Sequence, residues 1–244
     1  MNIKVFKDYD EASFYCADLV ASTINKNSHP ILGLATGSSP LGVYQEIIRR
    51  YQKKQLDLAN VTTFNLDEYV GLPRTHEQSY NYFMRKNFFD HVNIKEENIN
   101  LPDGLAEDLQ EECRQYSQKL LAMGGTDIQI LGIGTKGHIA FNEANSKLQA
   151  HCHVEILDQC TVMDNSRFFK CKEDVPLSAI TLGMMEIFCS KKIVILAFGR
   201  SKAKAIASFN DDQITTEVPV TFMKTHPDAT LILDQEAAAE LNVV

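Results

Sequence analysis

The stretch PILGLATGSSPLGVYQEIIRRYQKK (30–54) joins a short apolar run to an amphipathic segment through a polar, glycine-bearing turn. This pattern predicts a buried strand, a turn and a helix that is opened by Pro40. Four more apolar runs follow, with amphipathic stretches such as 105–123 and 201–209 between some of them: VTTFNL (61–66), DIQILGI (127–133), KKIVILAF (191–198) and ATLILD (229–234). Alternating strands and helices predict an α/β fold with a mainly parallel sheet covered by helices on both faces.

Composition and charge narrow the class of protein. The 244 residues are 44% hydrophobic and 23% charged, without a linker or an internal repeat, which predicts one domain over residues 1–244. The net charge of −8 argues against a nucleic acid or an anionic membrane as partner. The sequence has neither an 18-residue apolar run nor a secretory leader, so we expect a cytoplasmic protein whose six cysteines are reduced. The HCH at 151–153 suggests a metal site only weakly, because no further ligand cluster has suitable spacing.

The residues that follow the strands carry the strongest indication of function. In open parallel sheets, ligands bind outside the carboxyl ends of the strands. Four polar turns therefore fall on one edge of the predicted sheet: ATGSSP (35–40), NLDEY (65–69), GIGTKGH (132–138) and GRSK (199–202). We expect the functional residues to come from these turns.

The first turn has the composition of a phosphate cradle. Backbone N–H groups and three hydroxyls lie at the start of a helix in the run Thr36, Gly37, Ser38 and Ser39. Lys202 and Arg167 could supply positive charge from other segments. Alternatively, the turn only caps its helix, and Lys202 and Arg167 are solvated surface cations. The pattern is neither a Walker loop nor G-x-G-x-x-G, so it does not indicate a nucleotide.

Two other turns carry acid–base chemistry. Asp67 and Glu68 follow a strand, so at least one carboxylate is expected to face the site, where it could take a proton α to a carbonyl. The alternative for this pair is a helix cap or a surface ion pair. His138 lies in a glycine-rich loop and could move protons at neutral pH, with Glu143 close enough to orient it; the alternative is a structural histidine. A base, an acid–base pair and a phosphate anchor together fit an aldose–ketose rearrangement of a sugar phosphate.

Nearly the whole chain resembles the glucosamine-6-phosphate deaminase family. The resemblance is carried by LGLATGSSP, NLDEYVGLP, SYNYFMRKNFFDHV, GIGTKGHIAFNE, NSRFF, VPLSAIT, GRSKA and THPDATLILD. It implies a three-layer αβα fold of Rossmann-like topology. It also implies conversion of an amino-sugar phosphate, glucosamine 6-phosphate, and water to fructose 6-phosphate and ammonia, without a metal or organic cofactor.

The same resemblance implies roles for individual residues. Asp67 would move a proton between C2 and C1 of the sugar, and His138 would open the ring with support from Glu143. Arg167, Lys202 and the turn 36–39 would hold the phosphate. Residues 153–176 match a mobile lid that closes over the sugar. The family includes monomers and hexamers, so a homo-oligomer is possible.

Departures from the family pattern leave other functions open. Lys136 stands where the family usually has aspartate, in a position that assists the histidine, and a lysine cannot accept the imidazole N–H. Either Lys136 points to solvent, or the chain is a catalytically impaired sugar-phosphate-binding relative. LQAHCH (148–153) is similar to the galactosamine-6-phosphate branch, which is the alternative substrate. A lactonase of the 6-phosphogluconolactonase type is the third possibility, but lactone hydrolysis needs no C2 base.

Overall fold

The computed structural model describes residues 1–167 and 169–242. Phe168, inside the predicted lid, and the last two residues of the predicted domain lie outside the described residues. The described residues form ten strands: β1 (Asn2–Phe6), β2 (Ile31–Leu34), β3 (Thr62–Asn65), β4 (Asp67–Tyr69), β5 (Ile99–Asn100), β6 (Ile128–Gly132), β7 (His153–Ile156), β8 (Ser178–Thr181), β9 (Ile193–Ala197) and β10 (Ala229–Asp234). The helices are α1 (Tyr9–Lys26), α2 (Leu41–Gln52), α3 (Tyr80–Asn87), α4 (Leu109–Ala122), α5 (Gln159–Ser166), α6 (Met184–Phe188) and α7 (Ala203–Ile206).

Seven strands form one parallel sheet in the order β1-β10-β9-β6-β2-β3-β5. The five strands predicted from the sequence all lie in this sheet, and helices flank it, so the predicted α/β class with a mainly parallel sheet is confirmed. Every residue of β9 is buried, as expected for a central parallel strand that is covered on both faces.

The strand order places a topological switch point between β2 and β6. From β2 the chain builds outward through β3 to β5, and from β6 it builds in the other direction through β9 and β10. The connections that leave β2 and β6 therefore diverge and open a crevice at the carboxyl ends of these two strands. The turns ATGSSP and GIGTKGH both lie at this crevice.

A second, three-stranded antiparallel sheet has the order β4-β8-β7 and was not predicted. It begins directly after β3, because Leu66 separates β3 from β4 and sends the chain from one sheet into the other. In this sheet Asp67 lies opposite Thr181. The sheet change thus fixes the backbone of Asp67 at the edge of the crevice instead of leaving it in a loose turn.

Helix ends agree with their sequence signals where a side-chain cap exists. Ser79 caps α3 by accepting a hydrogen bond from the N–H of Tyr82. Helix α4 ends at Ala122, before two glycines with positive φ. The predicted helix over 201–209 is instead a short α7 between two 3-10 turns. No helix in the described ranges is both long and apolar enough to cross a membrane.

Candidate active site

A pocket of about 830 Å³ lies at the carboxyl ends of β2, β6 and β9. All four turns singled out in the sequence contribute to its wall, together with residues from α3 and α5. Among the predicted site residues, eight line it: Thr36, Gly37, Ser38, Ser39, Asp67, His138, Arg167 and Lys202. Glu143 lies directly behind His138, and Lys136 lies outside the pocket wall.

The turn between β2 and α2 presents a polar loop at the start of a helix. Gly37 has a φ of +89°, which a residue with a side chain would adopt only under strain. Helix α2 begins at Leu41, one residue later than a helix opened by Pro40, and Pro40 provides no side-chain cap. Tyr9 from α1 takes over this function, since its hydroxyl donates to the Ser38 carbonyl at 3.1 Å and accepts from the Gly42 N–H at 2.6 Å. The cradle is thus braced from a second helix.

Two cations from other segments line the same pocket as this turn. Lys202 lies in the turn that follows β9, and Arg167 lies directly after α5. Both line the pocket that contains the 36–39 turn. A dianion bound there would meet two positive side chains and the N–H groups of a helix start, which is the arrangement that binds phosphate.

Asp67 is the carboxylate of the NLDEY turn that faces the pocket. It is 6% exposed, and burial together with the nearby charge of Glu68 raises the pKa of Asp67 to about 8. Glu68 turns the other way and accepts hydrogen bonds from the backbone N–H groups of Tyr80 and Asn81 at 2.8 and 2.9 Å. The helix-cap alternative therefore applies to Glu68, whereas Asp67 lines the pocket.

The loop after β6 folds the imidazole of His138 back over Gly134. The Gly134 N–H donates to the His138 carbonyl at 2.9 Å, and the Gly137 N–H donates to the Gly134 carbonyl at 2.9 Å. A Cβ atom at position 134 would lie only 2.1 Å from Cε1 and Nε2 of the ring. Glycine at 134 is therefore required for this ring position.

Glu143 supports the histidine from behind. His138 Nδ1 lies 3.3 Å from Glu143 Oε2, an ion-pair distance at which the donor direction is not aligned for a hydrogen bond. Thr161 of α5 donates to the other carboxylate oxygen, Oε1, at 2.5 Å. Burial acts to raise the pKa of Glu143, but the contacts with His138 and Thr161 outweigh it and leave the pKa lowered. Glu143 is thus held as an anion beside the imidazole.

Lys136 points away from the pocket. Its side chain is 48% exposed, and Nζ lies 3.3 Å from Asp158 Oδ1 at the start of α5. Asp158 also caps that helix by accepting from the Cys160 N–H at 2.7 Å. Of the two alternatives for Lys136, the geometry agrees with a side chain directed toward solvent and does not place it on His138.

Several pocket residues were not identified from the sequence. Tyr80 lines the pocket, and its ring stacks parallel to Phe141 with the ring centroids 6.0 Å apart. Asn165 donates to the Tyr69 hydroxyl at 2.8 Å and so ties α5 to the small sheet. Thr161 carried no distinctive signal apart from its spacing of three residues from Asp158. These residues became recognisable only when the second sheet and α5 were placed.

The histidines of the HCH stretch have carboxylate neighbours. His151 Nδ1 lies 3.1 Å from Glu186 Oε1, and His153 Nε2 lies 3.0 Å from Glu155 Oε2. Within residues 1–167 and 169–242, no group of three or more His, Cys, Asp or Glu side chains could hold a metal ion. This stretch therefore gives no support for a metal site.

Comparison with known proteins adds an independent finding. The family model described as glucosamine-6-phosphate isomerases/6-phosphogluconolactonase matches residues 9–232. A protein of Thermoanaerobacter pseudethanolicus named glucosamine-6-phosphate deaminase is 49% identical over 98% of this chain and 94% of its own length. A protein of Clostridium acetobutylicum with the same name is 47% identical over 99% of this chain and 100% of its own length.

Solved structures agree with this relationship. A monomeric glucosamine-6-phosphate deaminase matches with a TM-score of 0.96 at 39% identity, over 98% of this chain and 100% of that one. A 6-phosphogluconolactonase from Trypanosoma cruzi matches with a TM-score of 0.76 at 21% identity, over 99% and 97% of the two chains, a likeness of fold alone. By the extent of the family match and the identity to these relatives, the chain belongs to the glucosamine-6-phosphate isomerase/6-phosphogluconolactonase family.

Proposed function

We propose that this protein is a glucosamine-6-phosphate deaminase, which converts glucosamine 6-phosphate and water to fructose 6-phosphate and ammonia. One observation carries the proposal: a buried carboxylate, Asp67, shares a pocket with the His138–Glu143 pair and with a phosphate cradle. The names of the relatives described above, and the fit of the deaminase structure at 39% identity, support the same activity.

In the proposed reaction, the phosphate anchors the sugar and fixes its register. Thr36 to Ser39, with Lys202 and Arg167, bind the phosphate at the end of the pocket formed by the β2 and β9 turns. The sugar carbons then extend toward the β6 loop and β4. The phosphate does not react, but the energy of binding it holds the reacting carbons of the sugar in the right orientation.

Ring opening is assigned to His138. The imidazole takes the proton of the anomeric hydroxyl and delivers a proton to the ring oxygen, which gives the open-chain aldehyde. Glu143 behind Nδ1 stabilises the imidazolium that forms during this transfer and keeps the ring oriented. Lys136 is directed away from the pocket, so its positive charge does not act on the bound sugar in this step.

Proton transfer between carbons is assigned to Asp67. Its carboxylate removes the C2 proton of the open-chain sugar while the aldehyde oxygen takes a proton from the C2 ammonium group, giving an enolamine, and the carboxylic acid then returns its proton to C1. The product is the C2 imine of fructose 6-phosphate, to which water adds and from which ammonia leaves. A pKa raised to about 8 by burial makes the ionised carboxylate a stronger base than an exposed aspartate. The ammonium group of the bound substrate favours that ionised form.

The alternatives from the sequence have less support. The relatives described above are named for glucosamine 6-phosphate. No contact among the described pocket residues favours galactosamine 6-phosphate. An impaired binding protein was suggested by Lys136, which lies outside the pocket. The predicted cytoplasmic location, the closing motion of residues 153–176 and a homo-oligomer stay predictions.

A substrate comparison tests the proposal. Release of ammonia and fructose 6-phosphate is measured with glucosamine 6-phosphate and with galactosamine 6-phosphate, and acid release is measured with 6-phosphogluconolactone. We expect equimolar ammonia and fructose 6-phosphate from the gluco substrate, with higher kcat/KM than from the other two. Turnover of the lactone alone, or of neither amino sugar, would contradict the proposal.

A further inference from the structure

Helix α5 contacts the catalytic loop through a buried hydrogen bond. The hydroxyl of Thr161 donates to Glu143 Oε1 at 2.5 Å, and both side chains are buried. A buried hydroxyl that donates to a carboxylate makes a charge-assisted bond, stronger than a bond between neutral groups. The bond joins two segments that no regular secondary structure connects, so it depends on how α5 packs.

The two oxygens of Glu143 divide their contacts between α5 and the histidine. Oε1 is held by Thr161, while Oε2 lies 3.3 Å from His138 Nδ1 without hydrogen-bond alignment. A carboxylate fixed at one oxygen can rotate only a little at the other. The hydroxyl of Thr161 therefore determines where the second oxygen lies relative to the imidazole.

The same side of α5 is attached at two further points. Asp158, three residues before Thr161, lies 3.3 Å from Lys136, and Asn165, four residues after it, donates to the Tyr69 hydroxyl at 2.8 Å. Positions 158, 161 and 165 follow the spacing of one helix face, so a displacement of α5 would break all three contacts together. The charge of Asp158 also acts to raise the pKa of Glu143, and Lys136 opposes that charge.

We propose that Thr161 is a positioning residue that makes the His138–Glu143 pair competent for ring opening only while α5 is docked on the loop that follows β6. The inference rests on the proposed function and deepens it. Arg167, which directly follows α5, lines the pocket, so phosphate binding and α5 docking favour each other. Substrate binding would then align the acid–base pair that opens its ring. Lys136 acts here as the outer attachment of α5.

The test separates ring opening from carbon proton transfer. Thr161→Val removes the hydroxyl at nearly constant shape, Thr161→Ser keeps it, and Ser166→Ala removes another α5 hydroxyl, one that bonds within the helix to Met163. Each variant is assayed for kcat and KM with glucosamine 6-phosphate. Each is also assayed for exchange of the C1 hydrogens of 5-deoxyfructose 6-phosphate in D2O with ammonium. This ketose lacks the hydroxyl that closes the ring, so its exchange bypasses ring opening.

For Thr161→Val we expect kcat to fall about tenfold or more, with KM and C1 exchange within about twofold of wild type. Thr161→Ser should restore kcat, and Ser166→Ala should match wild type. An unchanged kcat in Thr161→Val, or an equal loss of kcat and C1 exchange, would overturn the inference while the proposed function stands. A wild type that neither deaminates nor exchanges would overturn the proposed function itself, and with it this inference.

Discussion

Replacing Asp67 by asparagine should stabilise the folded protein, by an amount that grows with pH. The side chain is 6% exposed and the pKa of Asp67 is raised to about 8 by burial and by Glu68. In the unfolded chain an aspartate has a pKa of about 3.9. The folded state therefore holds the proton more tightly than the unfolded state does. The part of the free energy of unfolding that depends on this proton is fully present below about pH 4 and is lost as the pH rises through about 8.

The size of this effect follows from the two pKa values. Their difference of about 4 units corresponds to about 5–6 kcal/mol once Asp67 is ionised in both states. At pH 5 the cost is about 1.5 kcal/mol, and between pH 5 and pH 8.5 it grows by about 4 kcal/mol. The neutral amide of the Asp67→Asn variant carries no such cost, so the stability gain of this variant over wild type should increase by that amount.

The assay is urea unfolding of the ligand-free protein at pH 5 and at pH 8.5. Asp67→Asn is compared with wild type, and Asp212→Asn, at an exposed carboxylate, controls for the loss of one negative charge. An advantage of Asp67→Asn that is the same at both pH values would refute the reasoning, because the carboxylate would then not be destabilised by its surroundings.

The same pKa predicts that kcat/KM of wild type rises with pH up to about 8, since the base must be ionised.

Three further changes test the rest of the site. Gly134→Ala places a Cβ atom 2.1 Å from ring atoms of His138 and should lower kcat about hundredfold in steady-state assays, with an unchanged denaturation midpoint. Lys202→Met should weaken inorganic phosphate as a competitive inhibitor about tenfold or more; an unchanged inhibition constant would remove Lys202 from the phosphate site. Lys136→Asp should lower kcat rather than raise it, since it sets two carboxylates together at the start of α5, and Lys136→Asp combined with Asp158→Ser should recover. A gain in kcat from Lys136→Asp alone would instead mean that lysine impairs ring opening.

Most of the main sheet could be predicted from local pattern. The five predicted strands are apolar runs with turn residues at their ends, and a parallel sheet requires such runs because both its faces are covered. The edge strand β1 was missed because its pattern is short and mostly exposed. The small sheet was missed because β4, β7 and β8 are only three or four residues long and pair over large sequence distances.

The candidate site could be predicted in part for the same reason. Asp67 directly follows one predicted strand and His138 lies in the loop after another, so the rule that ligands bind at the carboxyl ends of strands brings them together. Thr161 and Asn165 belong to α5, whose position depends on packing and not on a strand end. The direction of a side chain is likewise a tertiary property. Asp67 and Glu68 are equivalent as neighbours in sequence, and only the alternation along β4 sends one to the pocket and the other to α3.

The most direct test of the account is the deamination rate of Asp67→Asn relative to wild type. Both proteins are given saturating glucosamine 6-phosphate at pH 8, and ammonia and fructose 6-phosphate are quantified together. The account predicts that wild type forms the two products in equal amounts. It also predicts that the deamination rate of Asp67→Asn is lower than that of wild type by about hundredfold or more, because an amide cannot take the C2 proton. A folded Asp67→Asn protein that keeps a rate within about tenfold of wild type would contradict the assignment of that proton transfer to Asp67.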